Sequence, residues 1–287
     1  MKIGLSFFPV RPSFLLPIAR RADELGYDSV WISEHLVFPT EIASQYPYDA
    51  AVGAPLSATP LFDPLVTLSY LAAQTRTIQL GTAIYILALR HPVMTAKLVA
   101  TLDALSGGRV ILGVGAGWLR EEFDAVGAPW DRRGPRMDEC VDIMRRLWSE
   151  PHVAHHGEFY HFENMCFEPK PERAPVPILI GGESPSALRR AAQRGDGWLG
   201  MRHSPASAAE RISQLRALRG GDTPLEITIE AEAIPTGDDL KSYRDAGVHR
   251  IMLNARLLSG GEKTIEASLD GLSRLAEVMH RQKEGIS

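Results

Sequence analysis

The sequence predicts an α/β fold, a single (β/α)8 TIM barrel with insertions over residues 1–287, and three observations support this prediction. Strand-like and helix-like segments alternate along the chain, and roughly eight of the strands would be parallel. The segment 109–114 is apolar on both faces, which is typical of a parallel strand that helices cover. Because no tandem pair of mononucleotide-binding halves appears, a closed barrel is favoured over a doubly wound sheet.

The beginning of the chain sets this pattern. Residues 3–8 form a predicted strand, and apolar residues at steps of three and four then predict a helix that Gly26 closes. A second strand is predicted at 29–33. The irregular stretch 36–61 follows it, and an irregular stretch of that length inside a compact domain is typical of a lid or a binding loop.

The alternation resumes after this long loop. We predict a helix at 64–74, a strand at 78–86 and a helix from His91-Pro92 whose apolar stripe is Met94, Leu98, Leu102 and Leu105. A further helix carries Met137, Val141, Met144 and Leu147. The aromatic-rich stretch 152–171 interrupts the rhythm and is predicted to be a β-hairpin insertion. The later strands are predicted at 177–182, 197–200, 226–232 and 250–254, with helices between and after them.

Composition excludes several classes of protein. The formal net charge of −4 gives no electrostatic case for binding nucleic acid or an anionic membrane. No window approaches the ~18 apolar residues that span a bilayer, and the N-terminus does not resemble a signal peptide. The two cysteines are too few for a disulfide scaffold. We therefore expect a cytoplasmic protein that binds a small-molecule substrate.

In a barrel of this kind, catalytic residues follow the carboxyl ends of the strands. The first such place is the end of the second strand, where Glu34 precedes His35. A carboxylate beside an imidazole can act as a general acid or base, because histidine titrates near neutrality. The alternative is structural: Glu34 caps the neighbouring loop, and His35 makes one hydrogen bond.

Glycines mark two further strand ends. Gly81 and Thr82 within the third strand predict a bulge or a close approach by a ligand, although a plain core strand is the alternative. Gly113, Gly115 and Gly117 alternate after a buried strand, which would let a large flat ligand approach the backbone. This run is not a dinucleotide fingerprint, because its third glycine has the wrong spacing.

The fourth place is the segment that begins at Gly181-Gly182 and continues through Glu183. Ser184 is a good N-cap and Pro185 a good first helical residue. The free amides and the dipole of a helix N-terminus attract anions, so this segment predicts a phosphate site. A purely structural turn is the alternative.

Four histidines in the predicted hairpin raise the question of a metal site: His152, His155, His156 and His161. In an extended chain His155 and His161 would share a face, and His156 would lie opposite. No HExxH motif or carboxylate triad accompanies them. We therefore expect a solvated hairpin and no metal.

Taken in order, these segments resemble the luciferase-like monooxygenase superfamily, and within it the branch of F420-dependent oxidoreductases. The resemblance covers residues 1 to 200 most distinctively. The stretches that carry it are Trp31-Ile32-Ser33-Glu34-His35, Asp63-Pro64-Leu65, Ile78-Gln79-Leu80-Gly81-Thr82, His91-Pro92, Leu102-Asp103-Ala104-Leu105-Ser106-Gly107-Gly108-Arg109, Leu112-Gly113-Val114-Gly115-Ala116-Gly117-Trp118, Phe167-Glu168-Pro169-Lys170-Pro171 and Ile180-Gly181-Gly182.

The resemblance implies roles for several of these residues. It implies a non-prolyl cis peptide near Ala83-Ile84 that backs a tricyclic ring, with His35 close to the reactive edge of that ring. It also implies that Gly181 and Gly182 bind the cofactor phosphate, and that the chain forms a homodimer. The family's acidic or amide residue after the glycine run has no equivalent here, because Trp118 stands there, which leaves His35 and Glu34 as candidate proton donors.

The implied function is hydride transfer between coenzyme F420 and an unidentified small organic substrate. A first alternative is an FMN-dependent monooxygenase of the same superfamily, and a second is a non-catalytic flavin- or deazaflavin-binding protein. An unrelated lyase or aldolase would need a lysine at a strand end, and the predicted strand ends carry none. The loop 36–61 and the hairpin, with Tyr46, Tyr48, Phe159 and Tyr160, are expected to shape the substrate pocket.

Overall fold

The computed structural model describes residues 1–47, 60–220 and 223–284. In chain order its strands are β1 (Lys2–Phe7), β2 (Ser29–Ile32), β3 (Gln79–Thr82), β4 (Tyr85–Ile86), β5 (Val110–Gly115), β6 (Val153–His156), β7 (His161–Met165), β8 (Ile178–Gly181), β9 (Gly197–His203), β10 (Glu226–Ala231) and β11 (Arg250–Asn254).

Eight of these strands form a closed parallel barrel. Around the ring the order is β1, β2, β3, β5, β8, β9, β10 and β11, and β11 pairs with β1 to close it. The short strand β4 pairs with the upper end of β5 outside this ring, and β6 and β7 form a separate antiparallel pair. The predicted (β/α)8 barrel is confirmed.

Helices surround the barrel: α1 (Pro12–Glu24), α2 (Pro64–Ala72), α3 (Pro92–Ser106), α4 (Arg120–Ala125), α5 (Arg133–Ser149), α6 (Pro185–Arg194), α7 (Pro205–Arg219), α8 (Gly237–Ala246) and α9 (Ile265–Glu284). Proline opens several of them, where its missing N–H leaves no intrahelical bond unmade. Gly26 follows α1 at a φ of 75°, as predicted for a C′ glycine. None of the helices within the described ranges is long and apolar enough to cross a bilayer.

The third strand is interrupted where the sequence predicts one continuous strand, 78–86. It ends at Thr82, a cis peptide joins Ala83 to Ile84, and β4 then begins at Tyr85. The non-prolyl cis peptide that the family resemblance implies is therefore present. The hydroxyl of Thr82 donates to the carbonyl oxygen of Gly113 at 2.7 Å, which ties the interruption to β5.

Large apolar side chains fill the interior of the barrel. Trp31, Ile111, Leu179, Leu199 and Met252 form one buried cluster, and Ala83 and Ile84 pack against it while remaining partly exposed. Gly81 is required by this packing, since a Cβ there would lie 2.2 Å from the indole of Trp31. The interior is a packed core, and Ala83 and Ile84 form part of its upper surface.

A buried arginine closes the opposite, N-terminal end of the barrel. The Arg250 side chain is fully buried, and its Nε donates to Asp28 at 2.6 Å. A second nitrogen bonds to the Glu226 carboxylate, and a third donates to Gln79 at 3.0 Å. A charge removed from water in this way is tolerated only because it is paired and hydrogen-bonded on several sides.

The predicted helix is present as α3, but three of the four residues in its predicted apolar stripe do not pack against the barrel. Met94, Leu98 and Leu105 are 63%, 49% and 80% exposed, and only Leu102 is buried. The buried side of α3 is formed mainly by smaller residues, including Ala96, Val99 and Ala100. This helix is apolar on two faces, and helical periodicity alone does not say which of them packs on the barrel.

The hairpin insertion is confirmed, although its strands span only Val153–His156 and His161–Met165. His156 pairs directly with His161, so these two side chains share a face, and His155 lies opposite. The prediction that His155 and His161 share a face is wrong. It assumed one extended chain, whereas a turn between the two strands reverses the chain direction. His155 instead contacts Glu139 of α5 at 2.9 Å.

Candidate active site

Glu34 and His35 directly follow β2 at the carboxyl end of the barrel, where the sequence predicts catalytic residues. The amide of Ala83 donates to the carbonyl oxygen of Ile32 at 2.8 Å, so the cis-peptide segment adjoins the end of this strand. The two side chains then contact different elements.

The Glu34 side chain is buried beneath the segment that follows the cis peptide. It accepts a hydrogen bond from the amide of Ile86 at 2.6 Å and another from the Arg90 guanidinium. Burial raises the pKa of Glu34 to about 7, against the lowering effects of Arg90 and the Ile86 amide. Arg90 in turn lies over the ring of Tyr85, 4.3 Å from its centroid. Glu34 thus anchors β4 to the end of β2.

His35 is paired with a carboxylate that the sequence analysis missed. Its Nδ1 lies 3.0 Å from Oε2 of Glu122, whose side chain is fully buried in α4. The other oxygen of Glu122 accepts from the amide of Leu36. On the far side of the ring, the indole nitrogen of Trp118 lies 3.3 Å from Nε2 of His35.

These contacts assign the tautomer of His35. An indole N–H can only donate, so Nε2 of His35 must accept from Trp118. Nδ1 then carries the hydrogen and donates it to Glu122. The imidazole is oriented between two fixed partners, in the manner of a base held by a buried carboxylate.

The sequence analysis missed Glu122 because no local pattern distinguishes it from Glu121, the acid that precedes it. Glu121 and Glu122 stand together in the first turn of a short helix, where acids are common on helix-dipole grounds alone. Glu121 holds the loop after β2: its carboxylate accepts from the amides of Ala43 and Ser44 at 2.7 and 2.9 Å, and from the Ser44 hydroxyl. Burial raises the pKa of Glu121, but these hydrogen bonds outweigh it and lower the pKa to about 2. Residues 48–59 of the predicted loop, with Tyr48, lie outside the described part of the chain.

The predicted glycines surround Ile84. A Cβ at Gly115 would lie 2.2 Å from Cδ1 of Ile84, and one at Gly181 would lie 2.6 Å from its Cγ2. Gly117 has a φ of +85°, and a Cβ there would meet the ring of Phe123 at 2.7 Å. The ends of β3, β5 and β8 therefore meet around one partly exposed apolar surface, formed by Ala83 and Ile84, which we call the platform.

The Gly182–Ser184 segment leads into α6 beside this platform. Gly182 adopts a φ of +120°, which a residue with a side chain would rarely adopt. The Ser184 hydroxyl caps α6 by accepting from the amide of Ala187 at 3.2 Å, as predicted. Glu183 is held by partners on β9 and α7: its carboxylate accepts from the Met201 amide at 3.0 Å and contacts His203 and Arg211 at 3.0 and 3.4 Å.

The luciferase-like monooxygenase family matches the chain over residues 8–283. The chain belongs to this family. As a luciferase-like protein it is an oxidoreductase, and the family prediction made from its sequence is confirmed.

Two relatives show how far the sequence similarity extends. An uncharacterized protein of Mycobacterium tuberculosis (strain ATCC 25618 / H37Rv) is 34% identical over 249 residues, which cover 85% of this chain and 86% of the relative. An F420-dependent glucose-6-phosphate dehydrogenase of Kineococcus radiotolerans is 37% identical over 191 residues, which cover 66% of this chain and 52% of that enzyme.

Solved structures share the fold. The monooxygenase RslO1 from Streptomyces bottropensis superposes with a TM-score of 0.78 at 24% identity and covers 99% of this chain and all of that one. An F420-dependent secondary alcohol dehydrogenase in complex with an F420-acetone adduct gives 0.74 at 18% identity, covering 96% and 97%. A type II Baeyer–Villiger monooxygenase of Pseudomonas putida in complex with FMN gives 0.64 at 21%, covering 80% and 66%. At these identities the likeness is one of fold.

Proposed function

We propose that this luciferase-like protein transfers a hydride between coenzyme F420 and a small organic substrate. The observation that carries the proposal is the His35–Glu122 pair directly after β2, the strand to which the cis-peptide segment is hydrogen-bonded. An imidazole oriented by two partners thus lies at the same end of the barrel as the partly exposed platform. Two curated relatives are F420-dependent glucose-6-phosphate dehydrogenases, the one from Kineococcus radiotolerans and one from Amycolatopsis mediterranei that aligns over 93% of this chain. When bound, the deazaflavin would supply the hydride chemistry.

The described residues fit such a cofactor. Ala83 and Ile84, with Gly81 and Thr82 beneath them, would support the ring, and Gly115 and Gly117 keep the neighbouring backbone free of side chains. Gly181, Gly182 and Ser184 would hold the phosphate at the N-terminus of α6. The negative charge of Glu183 is offset there by Arg211, which lies 3.4 Å from it. The ring and the phosphate of the cofactor would then both lie at the carboxyl end of the barrel, between the ends of β3 and β8.

His35 would act as a general base for substrate oxidation. Nε2 is its only proton-accepting atom in the assigned tautomer, and Trp118 would have to yield that atom to a substrate hydroxyl. Glu122 would then stabilise the imidazolium through Nδ1. In the reverse direction the same pair would return the proton. Glu34, whose carboxylate is bonded to Arg90 and Ile86, would hold the platform in place.

Titration with purified F420 and with FMN tests the proposal. We expect F420 to bind with saturable fluorescence quenching, and FMN to bind more weakly. Preferred binding of FMN, with oxygen consumption in the reduced state, would instead indicate a flavin monooxygenase. Binding of F420 without turnover of any alcohol or aldehyde in a broad screen would favour a non-catalytic binding protein.

We also propose that two copies pair through α2 and α3, which pack side by side. Their outward faces expose five large apolar side chains, Val66, Tyr70, Met94, Leu98 and Leu105, between 49% and 80% exposed. Large apolar side chains exposed in this number on two neighbouring helices indicate an interaction site, and a two-fold axis lets such a face cover its own copy. The homodimer expected from the family would bury this face.

A further inference from the structure

The exposed face of the β6–β7 hairpin brings together three side chains that the proposed oxidoreductase site does not use. His156 and His161 are directly paired across the strands, and Glu163 shares their face because side chains alternate along β7. The three side chains are 56%, 66% and 67% exposed. They are accessible to solvent and to ions.

The donor atoms of these three side chains lie close enough together to share one metal ion. Nδ1 of His156 lies 3.1 Å from Nδ1 of His161, and the Glu163 carboxylate lies 3.5 and 3.6 Å from the Nε2 atoms of the two rings. One ligand atom from each residue can be chosen so that all lie within 4.8 Å of one another. Ligand atoms bound at about 2.0–2.1 Å to a tetrahedral ion are roughly 3.3 Å apart. To bind an ion, these exposed side chains would rotate to bring one donor atom from each, now within 4.8 Å of one another, to that distance.

The backbone that carries these donors is fixed independently of any ion. Glu139 of α5 accepts hydrogen bonds from the amides of Glu158, Phe159 and Tyr160, which form the hairpin turn. On the inner face, His155 contacts the same carboxylate at 2.9 Å. The outer histidines therefore flank a turn whose amides are already hydrogen-bonded to α5, so ion binding would order little backbone.

We propose that His156, His161 and Glu163 bind a divalent transition-metal ion of the Zn²⁺ class, with water completing the coordination. Two imidazole nitrogens and one carboxylate form a donor set suited to zinc, copper or nickel, whereas magnesium and calcium prefer oxygen ligands. The site lies on the outside of the barrel and is separate from the platform. A bound ion would link β6 to β7 next to the hairpin turn.

Isothermal titration with Zn²⁺ tests this site on the full-length chain, purified without a histidine tag and stripped with a chelator. We expect saturable binding of about one equivalent, unaffected by excess Mg²⁺. His156→Ala and His161→Ala should each weaken Zn²⁺ binding by about tenfold or more, which corresponds to about 1.4 kcal/mol. Glu163→Gln should weaken it less, because glutamine keeps a neutral oxygen at the same position, whereas alanine leaves no ligand atom.

His152→Ala is the matched control. His152 is exposed at the same insertion, but its Nδ1 lies 3.3 Å from the Cys166 sulfur, outside the cluster. This variant should bind Zn²⁺ as the parent does, and all four variants should keep the parent's melting temperature without metal. No saturable binding, or equal affinity in the parent, His156→Ala and His161→Ala, would overturn the proposal. Loss of binding only in His152→Ala would place the ion at Cys166 and overturn it too.

Discussion

Replacing Glu122 with glutamine tests whether this buried carboxylate prepares His35 for proton transfer. Glutamine has nearly the same shape, and its amide oxygen can still accept from the amide of Leu36 or from Nδ1 of His35. The variant removes the negative charge beside the imidazole. The substitution should therefore weaken the stabilisation of a protonated His35 and change the packing little.

The expected magnitude follows from the contact that is altered. A hydrogen bond to a charged partner contributes about 1.5–3 kcal/mol, and here it would stabilise the imidazolium formed in the reaction. Loss of that stabilisation should lower kcat by roughly 10- to 150-fold. Binding of F420 should change little, because Glu122 lies behind His35, bonded to its Nδ1 and to the Leu36 amide.

Three measurements separate this role from a purely structural one. Turnover of a substrate found by screening gives kcat, and fluorescence titration gives the affinity for F420. Nitrogen chemical shifts of labelled His35 report its tautomer without any substrate, and the parent should carry the hydrogen on Nδ1. In Glu122→Gln we expect a mixture of tautomers. The Leu36 amide would hold the glutamine oxygen, so the glutamine NH2 group would face Nδ1 and compete with the donation from Trp118 to Nε2.

The neighbouring acid provides a matched control. Glu121→Gln removes an equal charge from the same helical turn, but its contacts are to Ala43 and Ser44. It should leave kcat within a few-fold of the parent. His35→Asn should lose at least ~100-fold in turnover, and adding Glu122→Gln to it should cost little more. Equal kcat in Glu122→Gln and the parent, with an unchanged tautomer, would refute the role assigned to Glu122.

Four further predictions concern other parts of the molecule. Gly182→Val should weaken F420 binding by about tenfold or more (1.4 kcal/mol) and lower the melting temperature, because valine is strained at a φ of +120°; unchanged F420 affinity would contradict the phosphate site. Arg250→Met should lower the free energy of unfolding in urea by about 3–5 kcal/mol, since Asp28 and Glu226 lose their partner; a loss below about 1 kcal/mol would contradict the buried pairing. Leu105→Glu, on the 80% exposed position of α3, should halve the mass measured by light scattering, whereas Leu218→Glu on α7 should not. The pKa of Glu121 is lowered to about 2, so its contribution to stability is present above its ordinary value of 4.5 and lost as pH falls towards 2; the difference in urea stability between the parent and Glu121→Gln should shrink over that range.

The positions at the strand ends could be predicted from the sequence because local signals mark them. Glycine and serine capping identify the start of α6, and a strand followed by Glu34-His35 identifies the barrel mouth. The cis peptide between Ala83 and Ile84 was expected only through the family resemblance. These features depend on a few consecutive residues, so a single sequence contains them.

The pairings that organise the site could not be predicted in this way. His35 and Glu122 are 87 positions apart, and Arg250 meets Asp28 across 222. Such contacts follow from the closure of the barrel, which brings distant strand ends together, and no local pattern encodes them. The buried face of α3 could not be predicted for a related reason. The helix has two apolar faces, and the contacts with the folded barrel determine which of them is buried.

The packed interior beneath Ala83 and Ile84 has a stereochemical consequence. In the proposed complex, a planar cofactor lying on these two residues would have one face closed by the packed interior and the other open towards the barrel mouth. Substrate could then approach from a single side, and hydrogen would be delivered to one prochiral face of the ring. The prochiral face that exchanges hydrogen would thus be determined by the end of β3 beneath the ring, independently of the residues that bind the substrate.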